Sequence, residues 1–83
     1  MTAPAAHHIR LLTAAGCHLC DAARDDIARI ATELGVSWDE VDIATDEDLL
    51  VEHSEQVPVI LIDGRQHGYW RVEEQRLRQA LGR

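Results

Sequence analysis

A change of hydrophobic period at residues 13–18 limits the possible folds more than any other feature of the sequence. Before it, residues 9–13 form a short apolar run typical of a strand. After it, apolar residues recur at the spacing of a helix with one buried face, at Ala23, Ile27, Ile30, Ala31 and Leu34. Gly35 is the expected end of this helix. A strand that leads directly into a long helix predicts an α/β unit.

The middle of the chain predicts a second strand and a short second helix. The apolar positions of residues 36–43 break strict alternation, which suits an inner strand covered on both faces. Thr45, Asp46 and Asp48 favour a helix start, so one or two helical turns are expected there. Residues 53–56 are expected to form a polar loop.

The last third of the chain predicts a hairpin and a closing helix. Residues 59–62 are apolar, and Asp63-Gly64 after them is a strong hairpin signal, with the return strand at about residues 65–69. Apolar residues at helical spacing then predict a helix over residues 72–81. In total, we expect four strands and three helices.

Composition excludes several classes of function. The chain of 83 residues carries a net charge of −7, and all eight of its basic residues are arginine, so nucleic acid and anionic membranes are poor partners. No apolar run approaches the roughly 18 residues of a membrane span, and no secretion signal is evident. We therefore expect one cytoplasmic domain at residues 8–83, preceded by a flexible arm at residues 1–7, and a monomer.

The two cysteines, Cys17 and Cys20, are poorly spaced to hold a fold together. A bridge between them would close a loop of about four residues, worth roughly 2 kcal/mol on the chain-entropy estimate. At the start of the long helix, however, backbone N–H groups and the helix dipole would stabilise a Cys17 thiolate. That thiolate can attack a disulfide, and Cys20, one turn later, can resolve the product. Chemistry explains the pair better than structure does.

Other interpretations of these residues stay open at this point. The two cysteines could pack as small hydrophobic residues. They could also bind a metal together with His18, His53 and His67, although the last two are too far apart for a zinc finger, so we expect no metal. His18 could stabilise the Cys17 thiolate, or it could be an exposed residue of the first turn with little effect.

Several motifs together resemble the glutaredoxin-like proteins of the thioredoxin fold, over about residues 8–82. They are Cys17-His18-Leu19-Cys20, Val57-Pro58 before a strand, the Asp63-Gly64 hairpin and the closing helix. The resemblance implies an α/β fold with a four-stranded mixed sheet flanked by about three helices. It also implies that the Val57-Pro58 bond is cis and that the Val57 backbone pairs with the substrate chain beside the disulfide.

The sequence departs from typical glutaredoxins where these bind glutathione. No basic residue shortly precedes Cys17, and Arg71 and Val72 occupy positions that are acidic in the family. The resemblance therefore predicts weak use of glutathione. Tyr69, Trp70 and Arg71 are candidate substrate contacts, although for Trp70 we favour packing of the last helix.

The function favoured by the sequence is that of a thiol–disulfide oxidoreductase active in electron transport. Cys17 would be the nucleophile and Cys20 the resolving thiol, and their redox-active disulfide would be the only cofactor. Its partners would be a disulfide-bearing protein or a low-molecular-weight thiol, together with a reductase or thiol donor. The alternatives are a thioredoxin-fold binding or adaptor module with little turnover, and a metal-binding protein that uses the cysteine pair.

Overall fold

The computed structural model describes residues 7–53 and 55–82 and contains the expected four strands and three helices. In chain order these are β1 (His8–Thr13), α1 (His18–Leu34), β2 (Ser37–Asp42), a 3-10 turn (Ile43–Thr45), α2 (Glu47–His53), β3 (Val59–Ile62), β4 (Arg65–Tyr69) and α3 (Glu74–Ala80). Of the arm expected at residues 1–7, residues 1–6 lie outside the described part. The last residue of the arm, His7, is described and contacts Asp63, with 2.6 Å between the His7 Nδ1 and Asp63 Oδ2 atoms.

The strands form one mixed sheet in the order β2-β1-β3-β4. Strand β1 pairs in parallel with β2 and antiparallel with β3, which in turn pairs antiparallel with β4. The turn between β3 and β4 is the predicted Asp63-Gly64 pair, and both residues have positive φ, 53° and 83°. Two-residue hairpin turns of this kind match the twist of the strands, which explains the strength of the sequence signal.

The prediction that residues 36–43 form an inner strand is wrong, because β2 lies at the edge of the sheet. The break in alternation has another cause. Asp39 pairs with Arg10 of β1, with 2.9 Å between Oδ2 and Nη2, and Glu40 pairs with Arg24 of α1. Two of the three charged residues of β2 therefore serve as partners for arginines of neighbouring elements.

The sheet has two unequal faces. The closed face is covered by α1 and α3, and its cluster of buried residues comprises Ile9, Leu11, Ala23, Ile27, Ile30, Ala31, Ile60, Ile62, Leu77 and Leu81. The open face carries the 3-10 turn and α2, and its buried cluster comprises Leu12, Ile43 and Val59. Half-buried side chains, including Ala14, Leu49 and Val57, pack around this smaller cluster.

Helix α2 corrects a second expectation. The sequence predicts a polar loop at residues 53–56, but His53 ends α2 and its side chain is buried. Leu50 and Val51 of the same helix remain exposed, so α2 contributes few apolar side chains to the open face. In the described ranges, no helix is long and apolar enough to cross a membrane.

Candidate active site

Cys17 lies at the N-terminal end of α1, as the sequence predicts. Gly16 has a φ of 76°, which lets the chain turn sharply into the helix. Cys17 is the N-cap residue, and its Sγ atom accepts a hydrogen bond from the backbone N–H of Cys20 at 3.2 Å. The side chain is half-buried, so it remains within reach of a substrate. A sulfur in this position receives the hydrogen bond that normally goes to a capping oxygen, at the positive end of the helix dipole.

Cys20 lies in a different environment from Cys17. Only 1% of its surface is exposed. Burial raises the pKa of the Cys20 thiol to about 11, and a hydrogen bond with the Cys17 side chain acts in the same direction. One thiol of the pair is therefore accessible, while the other is buried and protonated at neutral pH.

A network centred on Arg24 attaches the start of α1 to the sheet. The Arg24 guanidinium donates to both carboxylate oxygens of Glu40, at 2.6 and 2.7 Å, and to Asp21 at 2.8 Å. Thr13, the last residue of β1, donates its hydroxyl to Glu40 at 3.0 Å. The hydrogen bonds from Arg24 hold the pKa of Glu40 below its usual value. The strand before Cys17 and the helix after it thus share one carboxylate.

Sequence reasoning missed this network for a physical reason. Arg24 lies one turn after Cys20, and its spacing from Asp21 is visible in the sequence. Glu40 belongs to β2, and only the register of β2 against β1 brings it to Arg24. A signal for the Asp21 contact was therefore present, but the bond to Glu40 required the tertiary structure.

Val57 and Pro58 precede β3, at the end of the sheet where β1 leads to the cysteines. The Val57-Pro58 bond is cis, which confirms the expectation taken from the family resemblance. Leu12 of β1 is paired with Val59 of β3, so the chain that leaves β1 toward Cys17 passes the segment that enters β3. Pro58 is buried. Among the described residues, no hydrogen bond involves the backbone N–H or C=O of Val57.

Tyr69, the last residue of β4, and Trp70 after it lie at the same end of the sheet as Val57 and Pro58. Tyr69 is paired with Val59, and its ring meets that of Trp70 edge-on, with centroids 5.0 Å apart. The Trp70 backbone N–H donates to the Pro58 carbonyl at 2.7 Å, and its indole N–H donates to the Glu55 carbonyl at 3.1 Å. Trp70 is 53% exposed, so about half of its surface is open to contact with another molecule.

Arg71 lines an open groove of about 620 Å³ between β4 and the start of α3. Its other lining residues are Gln66, His67, Gly68, Tyr69, Trp70, Glu73 and Arg76. Arg76 has an acidic neighbour in Glu73, at 3.8 Å. No ion pair joins Arg71 to a described residue, although the chain has fifteen acidic side chains. The candidate substrate contacts Tyr69, Trp70 and Arg71 thus run from the end of the sheet into a groove that also contains Arg76.

The histidines that could have bound a metal are dispersed. His18 is exposed on the first turn of α1, His53 ends α2 and His67 lies on β4. Buried nitrogens of the last two, Nδ1 of His53 and Nε2 of His67, have no hydrogen-bond partner within the described part of the chain. Burial lowers the pKa of His67. Within residues 7–53 and 55–82, no group of three or more His, Cys, Asp or Glu side chains could hold a metal ion.

Comparison with known proteins gives the chain a family and a fold. The family model described as Glutaredoxin-like domain (DUF836) matches residues 8–82. Uncharacterized proteins of Mycobacterium tuberculosis and Mycobacterium bovis are each 36% identical to the chain over 80 residues, which span 90% of this chain and 82% of theirs.

Solved structures agree with this family match. A structural-genomics target protein from X. campestris superposes with a TM-score of 0.71 at 29% identity, covering 89% of this chain and 95% of its own. A thioredoxin from Fasciola hepatica superposes with a TM-score of 0.67 at 20% identity, over 93% of this chain and 79% of its own. The mixed sheet flanked by three helices is therefore the thioredoxin-like fold expected from the sequence.

Proposed function

Because this chain belongs to the glutaredoxin-like domain family, we propose that it is a thiol–disulfide oxidoreductase with Cys17 as nucleophile and Cys20 as resolving thiol. The observation that carries the proposal is the contrast between the two thiols. Cys17 Sγ is accessible and accepts the Cys20 backbone N–H at 3.2 Å, whereas the Cys20 side chain is buried. A nucleophile needs access and a stabilised thiolate, while a resolving thiol needs protection from competing reactions.

The proposed reaction has two exchange steps. The Cys17 thiolate attacks one sulfur of the substrate disulfide, forms a mixed disulfide and releases the other substrate sulfur as a thiolate, which takes a proton from solvent. Cys20 then attacks Cys17 Sγ and releases the second substrate thiol, which receives the proton lost by Cys20. The substrate gains two electrons and the protein is left with a Cys17–Cys20 disulfide. A reductase or thiol donor returns the two electrons.

Substrate contact in this proposal uses the segment before β3 and the end of β4. The backbone groups of Val57, which have no partner among residues 7–53 and 55–82, can form hydrogen bonds with an extended substrate chain, as one strand adds to another. Tyr69 and Trp70 offer exposed aromatic surface beside it. Arg71 can pair with a substrate carboxylate, because no described residue neutralises it.

The charges near Cys17 support a proposal about the electron donor. Glutathione carries two carboxylates and one amine, and residues 13–16 offer no cation next to the nucleophile. We therefore propose that glutathione is a weak donor, and that a reductase or another low-molecular-weight thiol re-reduces the disulfide. The cytoplasm is the compartment we propose, because the cysteine pair is spaced for exchange rather than for cross-linking distant segments.

The test is the reduction of a fluorogenic peptide disulfide by the wild-type protein and two matched variants. Cys17→Ser should lower the rate to that of buffer, because a hydroxyl does not exchange with a disulfide. Cys20→Ser should retain the first step and accumulate the mixed disulfide with Cys17, detectable by intact mass. Each protein is assayed with thioredoxin reductase, glutathione and other small thiols as the donor.

Two results would contradict the proposal. Equal rates for the wild type and Cys17→Ser would remove Cys17 from the reaction. A wild-type protein that binds disulfide peptides but turns over none with any donor would favour the adaptor function. Efficient, saturable turnover at submillimolar glutathione would refute only the part that concerns the donor.

A further inference from the structure

Trp70 holds one segment of the site at two points. Its backbone N–H donates to the Pro58 carbonyl at 2.7 Å, and its indole N–H donates to the Glu55 carbonyl at 3.1 Å. The two acceptors are the first and last residues of the segment 55–58. A single residue at the end of β4 therefore fixes both ends of the segment that contains Val57.

The backbone of Trp70 is unusual in a way that supports this role. Its φ of 71° lies in the left-handed region, which L-residues with large side chains rarely adopt. Such a conformation persists only where surrounding contacts compensate for it. The two hydrogen bonds to Pro58 and Glu55 are contacts of that kind. Because Trp70 as a whole is 53% exposed, burial of its side chain contributes less.

Val57 depends on these two bonds for its position. Its own backbone N–H and C=O have no hydrogen-bond partner among the described residues. Gln56, the other residue between the two bonds, donates its N–H to the His53 carbonyl at 2.9 Å. Apart from the bonds from Trp70, the Val57 peptide is held by its half-buried side chain on the open face and by the buried Pro58 that follows it.

We infer that Trp70 is a positioning residue that holds the backbone of residues 55–58 in place for pairing with a substrate chain beside Cys17. This inference rests on the proposed function and deepens it, because it identifies what orients the substrate. Trp70 acts through Val57 and takes no part in the sulfur chemistry. Substrate binding should therefore depend on the indole N–H, while the reactivity of Cys17 toward a small reagent should not.

The test compares Trp70→Phe with Trp38→Phe. The first change removes the indole N–H but keeps an aromatic ring and the backbone bond to Pro58. The second makes the same chemical change at the only other tryptophan, which is half-buried on β2 and packs against the closed face. For each protein we would measure KM and kcat with a peptide disulfide, the rate of Cys17 carbamidomethylation by iodoacetamide, and hydrogen exchange at the Gln56 amide.

For Trp70→Phe we expect KM and the exchange rate of the Gln56 amide each to rise about threefold to tenfold, in line with the loss of one hydrogen bond. Its kcat should change less than twofold, and iodoacetamide should modify Cys17 at the wild-type rate. Trp38→Phe should leave all four quantities near their wild-type values.

Two outcomes would overturn the inference. One is a Trp70→Phe protein that matches Trp38→Phe in both KM and Gln56 exchange. The other is a Trp70→Phe protein with a lower kcat and slower Cys17 alkylation at unchanged KM, since this would place its effect on the nucleophile. A wild-type protein without disulfide turnover would refute the proposed function instead. In that case, unchanged Gln56 exchange in Trp70→Phe would refute the positioning role as well.

Discussion

The closed and open faces of the sheet differ in how they are held together. On the closed face, α1 and α3 bury a continuous cluster, and ion pairs join the two helices at its surface. Arg29 contacts Glu74 at 2.8 Å, and Arg78 contacts Glu33 at 2.7 Å. The open face has the smaller cluster around Leu12, Ile43 and Val59, surrounded by half-buried side chains.

The difference separates the part of the molecule that contributes most to the buried core from the part that we propose to contact the substrate. Val57 packs on the open face, and the end of α2 leads toward it. A segment on a lightly packed face opens locally at lower free energy than one in the main core. The cysteines, in contrast, are attached to α1 on the closed face. The proposed nucleophile is thus carried by the heavily packed half, and the proposed substrate-pairing segment by the lightly packed half.

Truncating one isoleucine on each face should give the largest effect and tests this separation directly. Ile27→Ala, on the closed face, should lower the free energy of unfolding by about 2–5 kcal/mol, because its neighbours are buried and cannot fill the cavity. Ile43→Ala, on the open face, should cost about 2 kcal/mol or less, because half-buried neighbours can relax into the space. Urea denaturation measures both values.

Hydrogen exchange at the Gln56 amide serves as the second readout for these variants. Ile43→Ala should speed this exchange under native conditions, while Ile27→Ala should act mainly through global unfolding. If Ile43→Ala is as destabilising as Ile27→Ala, or leaves Gln56 unaffected, the open face is not the weaker support that we describe.

The fold was largely predictable from sequence because its signals are local. The apolar spacing and Gly35 gave the bounds of α1, His18–Leu34, and Asp63-Gly64 gave the hairpin. The position of β2 was not predictable in the same way. Its acidic residues break the apolar alternation, but their arginine partners lie on β1 and α1, so only the tertiary structure reveals that β2 is an edge strand.

The chemical type of the candidate site could be inferred from the sequence, but the contacts that hold its backbone in place could not. Two cysteines at a strand–helix junction indicate redox chemistry, and the family resemblance added the Val57-Pro58 pair. The role that we infer for Trp70 could not be predicted from the sequence, because it depends on a positive φ and on hydrogen bonds to carbonyls 12 and 15 residues away. Local periodicity carries information about neither.

The heavily packed half can be tested further at its two thiols, which both lie at the start of α1, with a smaller expected effect. At pH 8, iodoacetamide should modify Cys17 at least about tenfold faster than Cys20 in the native protein. With a pKa of about 11, only about one Cys20 thiol in a thousand is ionised at that pH, and its side chain is 1% exposed.

Peptide mapping by mass spectrometry follows the two sites separately, and the urea-unfolded protein is the control, in which the rates should become similar. Since the pKa of Cys20 is raised, its reactivity should increase with pH up to about 11. Equal native rates at pH 8 would mean that the packing of α1 does not protect the second thiol.

The smallest expected effect concerns the ion pairs at the surface of the closed face. Hydrogen bonds from Arg29 and Arg78 lower the pKa of Glu74 from 4.5 to about 2. A carboxylate with a lowered folded-state pKa stabilises the fold above its unfolded pKa, and that contribution disappears as the pH falls through the folded value. Glu74 should therefore contribute to stability above about pH 4.5 and lose this contribution progressively toward pH 2, with the effect weakened in 1 M salt. Thermal unfolding of Glu74→Gln across this range should show a shallower pH dependence than the wild type. Glu47→Gln is the matched control, because Glu47 on α2 makes no ion pair with another described residue. If Glu47→Gln flattens the curve as much as Glu74→Gln does, acid stability does not depend on the ion pairs that join α1 and α3.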